Sequence, residues 1–154
     1  MLPTPLPPVS PPTIVRAFAP AAHDWLPAHR GVDLSVRVGQ AVFAPRTGTV
    51  AVVRIIANRP VVVLRSRDVR FTFEPVIGSV AVGERVRVGE PIGVVGTGGH
   101  CDGRCLHWGA KIAGDYVDPL SFLPRRGPVL KPLVTARSSA SAAEGRAATC
   151  CGSG

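Results

Sequence analysis

The sequence predicts an all-β domain, a two-sheet β-sandwich built around a duplicated strand motif. Three observations predict it. Apolar residues come in short bursts of strand length, Gly, Pro, Asn and Asp punctuate those bursts, and no stretch keeps the 3.6-residue periodicity of a long helix. Seventeen Gly and sixteen Pro, with valine abundant, are the composition of short strands joined by tight turns. A chain of 154 residues is long enough for one core and too short for two domains of ordinary size.

Taken in order, residues 1–14 form a Pro-rich leader. Closely spaced prolines fix φ and remove backbone donors, so this segment is expected to be extended and without fixed structure. The apolar bursts follow: GVDLSV, QAVFA, TVAVVRII, PVVVLRS, VRFTFEPV, RVRVGEPIGVVG and CLHWGAKI. Each has strand length and is bounded by turn residues. They assign the folded domain to residues 15–124. Residues 125–154 change character and end in TARSSASAAEGRAATCCGSG, small and polar with almost nothing to bury. That composition predicts a disordered tail, in which Cys150 and Cys151 have no assigned role.

An internal repeat supports the duplicated motif. Val36 to Val42 and Val80 to Val86 share the pattern V-x-V-G-x-x-V, which reads as one strand-turn-strand unit used twice.

Charge narrows the function classes. The formal charge of +8 comes from sixteen Arg and two Lys, spread along the sequence and without an aromatic-plus-basic platform. This argues against a nucleic-acid surface, while a positive balance favours approach to anionic polymers, including those of a cell wall. No apolar run reaches membrane-spanning length, and the N-terminus lacks the basic start and continuous apolar core of a secretion signal. The chain is expected to be a monomer.

Chemistry concentrates at four histidines, His23, His29, His100 and His107. In a strand alternate residues share a face, so Val32 and Leu34 point to the core while Asp33 points away. By the same rule Leu106 and Trp108 face one way, and Cys105 and His107 the other. Two strands thus pack apolar groups inward and present ligand-type groups outward. His29, Asp33 and His107 make a suitable catalytic zinc set, two imidazoles and a carboxylate that leave a position for water. The spacing H-x-x-x-D is by itself common by chance.

The runs HRGVDLSVRVGQAVFAPRTGTVAVV, VAVGERVRVGEPIGVVGTGG, CLHWG and YVDPLSFL together resemble the lysostaphin-like (LytM-type) zinc metalloendopeptidases, which cut peptide cross-links of bacterial peptidoglycan. The resemblance covers roughly residues 15–123 in the family's order. It implies a two-sheet β fold with a duplicated strand motif related to lipoyl domains, and zinc held by His29, Asp33 and His107.

Two departures from the family pattern stand out. The first His of the family's H-x-H is Cys105 here, and the further family histidine falls in FTFEPV, where no His occurs. Proton transfer by a positioned side chain contributes about 10²- to 10⁴-fold, so a replacement matters. Glu74 and His100 are the candidate catalytic groups, Glu74 as a carboxylate base and His100 for its nearness in sequence to the lost position.

Cys101 and Cys105 enclose a short turn before the His107 strand. A disulfide between them is the preferred reading, with Cys105 as a fourth zinc ligand the rival. The resemblance implies a secreted or cell-envelope zinc metalloendopeptidase acting on peptidoglycan stem peptides or cross-bridges. The alternative is a catalytically degenerate member that binds cell wall or activates another hydrolase. A lipoyl- or biotin-carrier role needs a lysine at a hairpin tip, and neither Lys111 nor Lys131 lies in the repeat turns.

Overall fold

The computed structural model describes residues 3–23 and 25–125. The described chain is almost wholly β: eleven strands and one short 3-10 helix, Pro119–Phe122. In order the strands are β1 (Ile14–Arg16), β2 (Gly31–Ser35), β3 (Ala41–Phe43), β4 (Gly48–Ile56), β5 (Arg59–Ser66), β6 (Val69–Glu74), β7 (Val76–Gly78), β8 (Arg85–Val86), β9 (Pro91–Val95), β10 (Cys105–Ile112) and β11 (Asp115–Val117). Eight of them form one antiparallel sheet in the order β1-β2-β10-β6-β5-β4-β8, with β11 beside β10, and β3-β9-β7 form a second sheet. The predicted two-sheet architecture is the observed one.

Two-residue connections make the long hairpins. Ala57 and Asn58 both take positive φ between the paired Ile56 and Arg59, as do Ala113 and Gly114 between Ile112 and Asp115. Such turns match the right-handed twist of the strands they join. The core lies between the sheets. Leu34, Leu64, Phe71, Phe73, Leu106 and Trp108 of the large sheet are fully buried against Val42 and Ile92 of the small one. The alternation read in GVDLS and CLHWG holds, since Val32, Leu34, Leu106 and Trp108 are all at 0% exposure.

Two expectations are corrected. The V-x-V-G pattern is itself the turn, not a strand followed by one. Gly39 and Gly83 sit at φ 81° and 88°, the Gln40 amide donates to Arg37 O, and the Glu84 amide donates to Ala81 O. The side chains of Gln40 and Glu84 accept in return from the amides of Arg37 and Ala81. A third copy, Val86 to Ile92, has the same geometry, with Gly89 at φ 79° and Glu90 accepting from the Arg87 amide. These are turns with a left-handed third residue, where glycine avoids a steric penalty.

The Pro-rich leader is not a loose segment. Val9 is at 0% exposure within the core cluster, the Phe43 amide donates to Pro8 O, and the Leu6 amide donates to Pro45 O. Prolines cannot donate to a ladder, yet their carbonyls still accept from an edge strand, and β3 supplies the donor. The proposed tail, with Cys150 and Cys151, lies outside the described residues.

Val9→Ala is therefore expected to lower stability by about 1–3 kcal/mol, from lost burial and a partly filled cavity. Denaturant melts of the two chains check this, and an unchanged midpoint would mean the leader is not part of the core.

Candidate metal centre

The site is built on the pairing of β2 with β10. Direct register partners share one face of a sheet, and His107 is paired with Asp33 on one side and with Glu74 of β6 on the other. Asp33 and His107 therefore leave the sheet together, on the face opposite the core. The His107 ring needs the space above Gly31, where a Cβ would lie 2.8 Å from ring atoms Cε1 and Nε2 and would also meet Trp108 O. His29 enters from the segment before β2. An isolated bridge to Ala19 fixes its backbone, and its Nδ1 lies 2.7 Å from Ala17 O.

That last contact sets the tautomer. A carbonyl only accepts, so Nδ1 of His29 carries a proton, and in the neutral ring Nε2 bears the lone pair. Nε2 is buried, without a hydrogen-bond partner among the described residues, and lies 3.0 Å from Oδ1 of Asp33. Two lone pairs thus face one another. The same Oδ1 is 2.8 Å from Nδ1 of His107, and Oδ2 is 3.0 Å from Nε2 of His100. The ligand atoms of His29, Asp33, His100 and His107 all lie within 4.8 Å of one another.

Burial by itself would push the Asp33 carboxyl up. Hydrogen bonds from His107 and His100, together with their charges, outweigh it and hold the group at about 2, against an ordinary 3.8. Asp33 is thus an anion at neutral pH. An anionic oxygen and an unprotonated, unpartnered imidazole nitrogen 3.0 Å apart fit a divalent cation. Donors bound to zinc at about 2.0–2.2 Å stand at such separations from each other. The donor set, nitrogen and oxygen without thiolate, suits zinc and neighbouring transition metals.

Of the predicted site residues, the structure brings together His29, Asp33, His107 and His100. His100 arrives on the loop between β9 and β10, where Gly98, Gly99, Asp102 and Gly103 all take positive φ. Cys101 and Cys105 form a disulfide, with Cα atoms 4.8 Å apart, that closes this loop beside the metal ligands. The bridge leaves Cys105 as no fourth ligand. Cys101 Sγ lies 3.5 Å from His100 Nε2.

Glu74 is not in the cluster. Although it is the register partner of His107, its Oε2 accepts from Arg59 Nε at 2.7 Å, in an ion pair with that guanidinium. Arg59 is the residue that sequence reasoning missed. Its side chain also lies under the His100 loop, where a Cβ on Gly99 would come within 2.8 Å of Arg59 Cδ. Nothing in the sequence flags it among sixteen arginines.

This geometry meets a family pattern. Residues 27–119 match the family model of peptidase family M23. The chain belongs to that family. An uncharacterized protein of Mycobacterium tuberculosis is 43% identical over 130 residues, covering 80% of this chain and 52% of the relative. The M23 chain thus spans about half the length of that curated relative. Among solved structures, the catalytic domain of the antimicrobial peptidase lysostaphin from Staphylococcus simulans superposes with a TM-score of 0.60 at 21% identity, over 72% of this chain and 91% of that one. A chain of the SpoIIQ–SpoIIIAH pore-forming complex superposes with a TM-score of 0.68 at 19% identity, over 80% and 92%. At such identities both establish the fold alone.

Two outcomes follow from the centre. In the metal-free protein the depressed Asp33 group contributes stability that is complete above about pH 4 and is lost as pH falls toward about 2. Asp33→Asn should flatten that acid limb in thermal melts, and an acid limb of unchanged steepness would contradict the assignment. Adding one equivalent of a divalent transition metal should raise Tm, by linkage, in the native chain and not in His29→Ala or His107→Ala. Calorimetry of the three proteins, reversed with a chelator, is the measurement.

Proposed function

We propose that this M23 chain is a zinc metalloendopeptidase that hydrolyses peptide bonds of bacterial peptidoglycan, in the stem peptide or the cross-bridge. The observation that carries the proposal is the unpartnered Nε2 of His29 facing the Asp33 carboxylate, with His107 on the same oxygen. His29, Asp33 and His107 would hold the metal. What zinc supplies when bound is Lewis acidity, toward a carbonyl and toward the proton of water.

The chain's own residues do the rest. Asp33 accepts from Nε2 of His100 and so fixes both the orientation and the tautomer of that ring. Nδ1 of His100 is then the basic atom, on a side chain 45% exposed at the mouth of the site. On this reading it takes a proton during attack and returns it to the leaving amine, the work of the histidines that this sequence lacks at their family positions. Arg59 and Glu74 act as positioning residues, one bracing the His100 loop and the other anchoring Arg59.

The disulfide fits an oxidising compartment, consistent with a secreted or envelope protein. Among the described residues no helix is long and apolar enough to cross a membrane.

Digestion of purified peptidoglycan by the zinc-loaded protein, with fragments read by mass spectrometry, tests the reading. New fragments that vanish in His107→Ala are expected. His100→Ala should keep its zinc and lose about 10²- to 10⁴-fold in kcat. No fragments from a chain with zinc bound would transfer the assignment to a wall-binding or hydrolase-activating role.

A further inference from the structure

The large sheet gathers cations that the sequence scatters. Across five adjacent strands, Lys111 of β10 is paired with Arg70 of β6, Arg70 with Arg65 of β5, Arg65 with Thr49 of β4, and Thr49 with Arg85 of β8. Direct partners share a face, so the five side chains form one row, about 19 Å long at about 4.8 Å per strand. Their chain neighbours Leu64, Phe71 and Ala110 are buried in the core, so the row points outward. Arg65, Arg70, Arg85 and Thr49 are exposed. Among the described residues no ion pair or hydrogen bond engages the guanidinium groups of Arg65, Arg70 or Arg85; the acidic residues beside the row in sequence are Asp68, in the β5–β6 turn, and Glu84, whose Oε2 accepts from the Ala81 amide.

Like charges directly opposite each other on a sheet are destabilising. Two such pairs occur side by side here, Arg65 with Arg70 and Arg70 with Lys111. A depression of about 320 Å³, lined by Ala51, Val52, Arg65 and Arg70, opens between the two arginines. Lys111 lies four residues along β10 from His107 and on the same face, about 13 Å from it at about 3.3 Å per residue. The positions between are small or uncharged: Gly109, Thr72 and Val63.

We propose that this row is a docking track for a linear phosphate polymer other than a nucleic acid, lying across the sheet beside the metal centre. The guanidinium fork matches phosphate oxygens in pairs, and successive cations at strand spacing meet successive anionic groups. Bases have nothing to stack on. The one aromatic side chain at the end of the row is Tyr116, whose ring is taken up by Lys111 Nζ at 4.2 Å and by the Arg30 guanidinium at 5.1 Å. The track does not rest on peptidase activity.

Fluorescence anisotropy of labelled inorganic polyphosphate, titrated with the full chain at several salt concentrations, tests it. Arg65→Gln/Arg70→Gln should weaken binding at least tenfold and make the salt dependence shallower, with Tm equal or higher because a repulsion is removed. Arg85→Gln alone should give a smaller loss. The control Arg37→Gln/Arg87→Gln removes the same charge from two turns and should change affinity less than twofold. Equal losses in the two double variants would overturn the track in favour of diffuse attraction. Tighter binding of a single-stranded DNA oligomer than of polyphosphate of equal charge would overturn it in favour of a nucleic-acid surface.

Discussion

Strand β10 hydrogen-bonds to β2 along Cys105–Gly109 and to β6 along His107–Ile112, and this double pairing sets where every other group in the centre must be. A strand held on both sides cannot slip by one residue without turning Leu106 and Trp108 out of the core. The hydrophobic cost of that slip is what fixes His107 opposite Asp33. The placement of these two candidate ligands is thus specified by apolar residues on the other face of the same strands. His29 is the exception, held by a bridge to Ala19 and by the Ala17 carbonyl, and those bonds also decide which of its nitrogens is left bare.

On the proposed reading, this chain carries on a loop the proton-shuttling imidazole that the family pattern puts on a strand. The strand position two residues before His107 is Cys105, which cannot shuttle a proton while bonded to Cys101. The imidazole instead comes from His100, carried on a loop whose four positive-φ residues bend it back over Asp33. Arg59 supports that loop from below and is itself held by Glu74, which stands in the same row of the sheet as Asp33 and His107.

Much of this was legible in the sequence because it depends on alternation. GVDLS and CLHWG show which residues face the core, and so that Asp33 and His107 leave the sheet on the opposite face. What depends on tertiary register was not legible. The third turn motif ends in Ile92 and so escapes a strict valine pattern, although its glycine has the same backbone conformation as the other two. The leader was read as loose because proline composition speaks to missing donors and is silent about acceptors, and it is the Pro8 carbonyl that docks it on β3. Arginines at 65, 70 and 85 look dispersed along the chain and become neighbours only when β4, β5, β6 and β8 line up. Glu74 looked like a free carboxylate because its cation lies fifteen residues away across a hairpin.

The Cys101–Cys105 bridge also makes one side of the centre depend on a bond that a reductant can open. The register that sets Asp33 opposite His107 is a backbone pairing and does not involve the sulfur atoms of the bridge. The loop bearing His100 is joined to the start of β10 by the bridge. On the proposed reading, two of the ligands are thus held by strand pairing and the His100 base by a covalent bond that responds to redox conditions.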